Sequence, residues 1–129
     1  MGGTSGSRQI VLKFWRLMAS NDFASTSAVL ADDFVLEWPQ SRERIRGVKN
    51  FARMNSEYPA CGPWTFEIHR LVSDQNQAVT DVAITDGVQV ARAISFFTLV
   101  NGKISRLVEY WPEPFEAPPN RSHLVERME

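Results

Sequence analysis

Cysteine is nearly absent from this chain, which carries only Cys61 among its 129 residues. A single cysteine excludes an intramolecular disulfide and a metal site built from several cysteines. Because disulfides are rare in reducing compartments, this composition is typical of a cytoplasmic protein. Cys61 itself lies in a turn rich in proline and glycine, with no paired base near it in the sequence, and this argues against a nucleophilic role.

Long apolar runs and an excess of one charge are also missing. No segment approaches the roughly 20 apolar residues that span a bilayer, and residues 1–8 lack the apolar core of a secretory signal. The formal net charge is −1, so we expect neither a nucleic-acid nor a membrane partner. The chain length and the 43% of hydrophobic residues are typical of one globular domain.

Motifs for bound cofactors and for self-contained catalysis are lacking as well. The sequence contains no Gly-rich phosphate loop, metal-ligand cluster or Ser/His/Asp set, so we expect neither a cofactor nor a metal. His69 is out of phase with the alternating apolar residues around it, and we interpret it as a surface or sheet-face side chain. His123 lies in a polar tail and is expected to be solvated.

The first half of the sequence contains three segments with helical patterns. The first has apolar residues at helical spacing, namely Ile10, Val11, Phe14, Trp15 and Met18. A second, short helix is predicted to carry Phe23, Ala28, Val29 and Leu30 and to end near Asp32-Asp33. A third helix is predicted to begin at Gly47 and to end before Pro59.

Strand patterns account for most of the remainder. A short strand is predicted over residues 34–38, and the charged segment 41–46 is interpreted as a loop. Four further strands are predicted in succession, over residues 64–69, 77–85, 88–100 and 103–111. The dipeptides Asp86-Gly87 and Asn101-Gly102 supply the positive φ angles that tight hairpin turns require.

A helix cluster followed by antiparallel strands predicts an α+β fold. Because a long sheet twists and curls, the helices can cover only its concave face, and we expect a pocket between the two. The domain is predicted over residues 9–112, after a flexible lead of residues 1–8. Residues 113–129 form a Pro-rich tail that we expect near the pocket mouth, with Phe115 as its apolar anchor.

Three stretches carry a family resemblance: Ser20–Phe23 leading to Leu30–Phe34, Gly47–Phe51, and Asn101–Ile104 running to Glu109–Trp111. Their order and spacing resemble the SnoaL-like, or polyketide cyclase-like, group of the nuclear-transport-factor-2-like (NTF2-like) superfamily, from about Arg8 to Pro112. The resemblance implies a cystatin-like cone, in which three helices pack on a strongly curved, mostly antiparallel sheet that encloses a pocket. It also implies a homodimer. It implies no single function, because members include isomerases, hydrolases, cyclases, dehydratases and transport factors.

Two known chemistries of this superfamily can be compared with the residues present. Ketosteroid isomerases use a tyrosine, an aspartate base and a protonated aspartic acid. The resemblance places these at Phe14, Trp38 and near Ser95, so we do not expect chemistry of that type. Limonene epoxide hydrolases use an arginine and two aspartates, and the resemblance places these near Val82, Ile84 and Glu109. Only the last position retains a carboxylate.

Glu109 is therefore the candidate catalytic residue. It shares one face of the last strand with Leu107 and Trp111, and the resemblance points that face inward. A carboxylate among apolar rings is desolvated, which raises its pKa and suits it to acid/base catalysis. The alternative is that Glu109 pairs with Arg92 or Arg106, or reaches the pocket mouth.

Ten residues are expected to line the pocket, and most of them are aromatic: Phe14, Trp38, Phe51, Tyr58, Trp64, Ser95, Phe97, Leu107, Trp111 and Phe115. Aromatic walls suit a flat or cyclic apolar ligand, although simple packing explains each ring equally well. Asp81 is expected on the convex face of the sheet rather than in the pocket.

Three functions remain open at this point. The first is a cofactor-independent isomerase, cyclase, dehydratase or hydrolase that uses Glu109. The second is a protein that binds a small apolar molecule without chemistry. The third is a dimeric interaction module that works through the outer face of its sheet. The apolar residues Val88, Val90, Ile94 and Phe96 on that face predict homodimerisation.

Overall fold

Helix α1 (Gly6–Ala19) buries the apolar stripe that its sequence predicts, in a computed structural model that describes residues 6–128. The helix begins at Gly6, so residues 6–8 of the predicted lead are helical, whereas residues 1–5 lie outside the described residues. Val11, Phe14 and Trp15 face the sheet and are buried. The amphipathic pattern therefore determines how α1 packs.

The other two helices follow at the predicted places but with adjusted bounds. The second is a 3-10 helix (Phe23–Ala28), which ends before the predicted end near Asp32-Asp33 because Leu30 already begins a strand. Helix α2 (Val48–Glu57) starts after Gly47, whose φ of 89° favours glycine at that position. No helix within residues 6–128 has both the length and the apolar composition needed to cross a bilayer.

Six strands form one mixed sheet. Their bounds are β1 (Leu30–Trp38), β2 (Glu43–Arg46), β3 (Thr65–Ser73), β4 (Gln77–Thr85), β5 (Val90–Val100) and β6 (Lys103–Tyr110). The order across the sheet is β2-β1-β6-β5-β4-β3, and only β1 and β6 run parallel. The predicted succession of four antiparallel strands is confirmed as β3 to β6. The α+β fold with helices on a curved sheet is likewise confirmed.

Strand β2 corrects the prediction of a loop over residues 41–46. Its residues pair antiparallel with the end of β1, so that Ile45 lies opposite Leu36. On the other face Arg44 Nε donates to Glu37 Oε2 at 2.8 Å. The residues of β2 are mostly charged, so their sequence does not indicate a strand. The segment is extended because it pairs with β1, and this tertiary contact cannot be read from the local sequence.

The hairpin turns have the chemistry that their dipeptides predict. Asn101 and Gly102 take φ angles of 53° and 77°, and Gly87 takes 97°. Asp86 contributes more than a turn, because its carboxylate accepts backbone N–H bonds from Cys61, Val88 and Gln89. These bonds hold the pKa of Asp86 far below its ordinary value and tie residues 59–63 to the β4–β5 hairpin.

The two faces of the sheet differ in character. The concave face lies under the helices and carries the apolar core. The outer face exposes Val90, Phe96 and Tyr110 on β5 and β6. Val88, which was predicted on the same strand, lies instead in the preceding turn and is exposed.

Two clusters of charged residues flank that apolar strip on the outer face. In one, Asp81 accepts bonds from Arg70 and Arg92, with the shortest contact of 2.5 Å from Arg92 Nε to Asp81 Oδ1. The expected position of Asp81 outside the interior is thus confirmed. In the other, Glu37 lies between Arg44 and Arg106. The arginines hold the pKa of each carboxyl below its ordinary value.

Candidate functional site

A row of polar side chains crosses the concave face of the sheet in the middle of the apolar core. Strand register places Thr80 of β4 opposite Ser95 of β5, and Ser95 opposite Glu109 of β6. Trp38 of β1 comes next to Glu109, because the preceding pair in that register is Glu37 with Val108. Side chains that face each other across a sheet can interact directly.

Glu109 is the titratable member of this row, and its hydrogen-bond partners are neutral. The residue is 6% exposed. Its Oε1 accepts a bond of 3.1 Å from Trp38 Nε1–H, and its Oε2 accepts one of 2.9 Å from Ser95 Oγ–H. Burial raises the pKa of the Glu109 carboxyl, while these two hydrogen bonds offset part of the effect.

The two arginines that could have neutralised Glu109 are engaged elsewhere. Arg92 bonds to Asp81, and Arg106 bonds to Glu37 at 2.5 Å from Nη2 to Oε1. Both pairs lie on the outer face, which alternation separates from the face that carries Glu109. The predicted alternative of an ion pair for Glu109 is therefore wrong.

Aromatic rings pack against one another on the concave face, where a deep pocket was expected. The ring of Phe14 lies 5.0 Å from that of Trp15, 5.4 Å from that of Phe97 and 6.0 Å from that of Phe51. These are ordinary packing distances for edge-on and tilted rings. Five of the residues predicted to line the pocket are buried in this core: Phe14, Phe51, Ser95, Phe97 and Leu107.

An open groove lies to one side of this core, between β2 and α2. It is an open surface depression with a volume of about 570 Å³. The residues that line it are Trp38, Glu43, Arg44, Ile45, Arg46, Asn50, Arg53, Met54, Glu57, Tyr58 and Pro59. Trp38 and Tyr58 are the only two of these that the sequence had placed at a binding site.

Of the three remaining predicted lining residues, Trp64 and Trp111 lie next to strand ends, whereas Phe115 lies in the tail outside any helix or strand. Trp111 is partly buried, and its ring packs edge-on against that of Trp38 at 6.3 Å. Trp64 is also partly buried and packs against Tyr58 at 5.9 Å. Phe115 is 81% exposed, so its predicted role as an anchor at the pocket mouth is wrong. Residues 112–119 contain four prolines, which have no backbone N–H, so the tail cannot pair with the edge of the sheet as a regular strand would.

The other titratable candidates are placed as follows. His69 lies at an irregularity of β3, with Nε2 3.6 Å from Glu67 Oε1 on the surface, as expected. His123 and Cys61 are exposed. Within residues 6–128, no group of three or more His, Cys, Asp or Glu side chains is arranged to hold a metal ion.

Sequence reasoning missed Thr80 and its partner. Trp15 Nε1–H donates to Thr80 Oγ1 at 3.2 Å inside the core. One feature of the sequence could have indicated this bond. Thr80 shares one face of a predicted strand with the apolar residues Val82 and Ile84, so a polar side chain is expected on the buried face. The groove was missed because β2, which forms one of its walls, was not predicted.

The SnoaL-like domain family matches residues 11–107 of this chain. The chain belongs to the SnoaL-like family. The fold, with helices on a curved mixed sheet, agrees with that assignment. Among curated proteins, none matches the chain in sequence.

Three solved structures illustrate what this SnoaL-like protein is similar to. A putative ketosteroid isomerase from Kribbella flavida has 36% identity, with 98% of this chain and 92% of that chain covered and a TM-score of 0.89. A nuclear-transport-factor-2-like protein of unknown function from Burkholderia xenovorans has 29% identity, complete coverage of both chains and a TM-score of 0.81. An epoxide hydrolase of the limonene type from M. tuberculosis has 24% identity, coverage of 84% of each chain and a TM-score of 0.69. The last of these supports the fold alone.

Proposed function

We propose that this SnoaL-like protein is a cofactor-independent enzyme that acts on a small apolar or cyclic molecule, with Glu109 as its acid/base group. The observation that carries the proposal is the burial of Glu109 among neutral partners. A raised carboxyl pKa moves toward neutral pH, where a group can both take and return a proton. Isomerase, cyclase, dehydratase and hydrolase chemistry all require that proton transfer.

The relative described as a putative ketosteroid isomerase supports proton transfer beside a carbonyl as the reaction type. The residues of this chain favour a different arrangement from the one that ketosteroid isomerases use. Phe14 and Trp38 occupy the expected positions of the tyrosine and the base, so the carboxylate would act from β6. Ser95, which donates to Glu109, can relay or accept a proton next to it.

Proton abstraction can be tested without knowledge of the natural substrate. Cyclic ketones and hydroxyketones are incubated with the protein in D2O, and exchange of the protons beside the carbonyl is followed by NMR. We expect Glu109→Gln to lower any enzyme-dependent exchange by about 10²-fold or more, the usual contribution of a general base. Glu37→Gln, which alters a carboxylate on the outer face, is the matched control and should leave exchange unchanged. Equal rates for wild type and Glu109→Gln would contradict the proposal.

A second candidate is a binding protein without chemistry, and one observation favours it. Phe14 and Phe97 pack edge-on in the interior, and Glu109 is not among the residues that line the groove. Binding of cyclic molecules that Glu109→Gln does not weaken, with no exchange in either protein, would favour this candidate over the enzyme.

We also propose a homodimer that forms through the outer face of the sheet. The rings of Phe96 and Tyr110 lie 6.0 Å apart there, and Ile94 lies opposite Tyr110 in the strand register. An exposed apolar patch of this kind is typical of an interface. Light scattering at micromolar concentration should give twice the monomer mass for wild type, and the monomer mass for Phe96→Glu, because that change buries a charge. A monomeric wild type would contradict the dimer.

A further inference from the structure

Trp38 borders two distinct environments. On one side its indole Nε1–H donates to Glu109 Oε1 at 3.1 Å. On the other side the same residue lines the groove between β2 and α2. Glu109 is absent from that lining, so Trp38 is the residue that contacts both the groove and the carboxylate.

The position of Trp38 allows its ring to move more easily than the core rings. Trp38 is the last residue of β1, directly before Pro39, and is only partly buried. Its aromatic neighbour Trp111 is also partly buried and follows the last residue of β6. By contrast, Phe14 and Phe97 have almost no exposure. Local rearrangement costs least where packing is incomplete, at the ends of elements.

We propose that the groove is the ligand-binding site and that Trp38 is its movable partition, which turns away from Glu109 when the ligand enters. This inference rests on the proposed function, because it gives the ligand access to the proposed acid/base group. Ile45, Met54 and Tyr58 offer apolar surface to a ring system along the groove, whose lining also includes five charged residues, Glu43, Arg44, Arg46, Arg53 and Glu57.

The hydrogen bonds of Glu109 indicate the chemical class of that ligand. When the indole turns away, Oε1 loses the donor that it has at present. A buried carboxylate oxygen without a donor is costly, so a ligand that supplies an O–H group is favoured over one that does not. The site is therefore suited to a phenol or a cyclic alcohol, whose hydroxyl takes the place of the indole N–H.

A matched pair of probes tests both parts of the inference. We use 2-naphthol and 2-methoxynaphthalene, which differ in having or lacking the O–H donor, and follow the indole N–H signals of the protein by NMR. We expect 2-naphthol to bind at least about tenfold more tightly, as one additional hydrogen bond to a buried carboxyl implies. It should shift the indole signal of Trp38 and leave that of Trp15, which donates to Thr80 in the core, in place.

Variants separate the hydroxyl preference from the shape of the groove. Glu109→Leu should bind both naphthalenes equally well, because no acceptor remains for the hydroxyl. Glu109→Gln keeps a neutral acceptor oxygen and should retain part of the preference, which provides a second reading if the leucine variant folds poorly. Trp38→Phe removes the competing indole donor and should raise the affinity for 2-naphthol in particular.

Three outcomes would overturn the inference: no binding of 2-naphthol at millimolar concentration, equal affinity for the two probes in wild type, or binding that leaves the Trp38 signal unmoved. None of these depends on turnover. The proposed enzyme function fails separately, if the hydroxyl preference is present but the protons beside ketone carbonyls exchange equally fast in wild type and Glu109→Gln.

Discussion

Replacing Phe97 with alanine is expected to lower the free energy of unfolding by about 3 to 5 kcal/mol, the usual cost of removing a fully buried ring. Phe97 is 1% exposed, and its ring packs edge-on against those of Phe14 and Trp15. The loss has two parts, namely the hydrophobic stabilisation that the buried ring supplied and the cost of the cavity that remains when the ring is removed. Urea denaturation followed by tryptophan fluorescence measures it.

Phe96→Ala is the matched control for this prediction, because it changes the same residue type one position earlier on the same strand. Phe96 points to the outer face and is 44% exposed, so its removal should cost less than half as much. Both variants are measured at a protein concentration at which light scattering gives them the same mass, so that a difference in dimerisation does not contribute to the difference in unfolding free energy. A Phe97→Ala variant that loses no more than Phe96→Ala would contradict the packed interior.

The cavity left by Phe97→Ala also tests why this interior is filled. Ser95 lies two residues before Phe97 on the same face and donates to Glu109, so the new space would open next to the carboxylate. An apolar cavity of this kind takes up small apolar molecules. Benzene should therefore raise the melting temperature of Phe97→Ala and leave that of wild type unchanged.

The strands were predictable because their residues alternate and their turns contain Asp-Gly or Asn-Gly. The bounds of β4 coincide with the predicted residues 77–85, and β5 and β6 begin or end within two residues of the prediction. Strand β2 was not predictable, because its four residues include three charged ones. It exists through pairing with β1, which is a tertiary contact.

The candidate site was predictable in part, and the division has a physical reason. Alternation along β6 and the family resemblance together placed Glu109 inward, and the structure agrees. Whether the space around Glu109 is empty depends on how the aromatic side chains of α1, α2 and β5 pack together. This packing cannot be predicted from the sequence of any one of these segments. The same holds for the partners of Glu109, because Trp38 is 71 positions away in the chain and Ser95 is 14 positions away.

Glu109→Gln is expected to stabilise the protein near neutral pH, by about 1 to 3 kcal/mol, the scale of the desolvation penalty of a buried polar group. Glutamine is almost isosteric and can still accept the bond from Trp38 while it donates to Ser95. What it removes is the cost of keeping a charge in a site that has no cation. Natural proteins commonly give up stability in this way at a working residue.

The pH dependence of that gain follows from the raised pKa of Glu109. The folded state holds the proton more tightly than the unfolded state, whose carboxyl keeps the ordinary pKa of 4.5. Wild-type stability therefore falls as pH rises from that value up to the raised folded pKa, and it stays lower above it. Because Glu109→Gln has no such group, its advantage should grow across this interval and be small below pH 4.5.

Glu37→Gln provides a control with the opposite sign. Arg106 and Arg44 lower the pKa of Glu37 in the folded state, so its stabilising contribution is present at neutral pH and is lost as pH falls through that lowered value. This variant should therefore be less stable than wild type at pH 7, with a deficit that shrinks on acidification. Urea denaturation between pH 3.5 and 8 compares the two variants directly. A Glu109→Gln variant that behaves like Glu37→Gln would mean that the charge on Glu109 is stabilised in the folded protein, and acid/base catalysis by a desolvated carboxylate would then lose its physical basis.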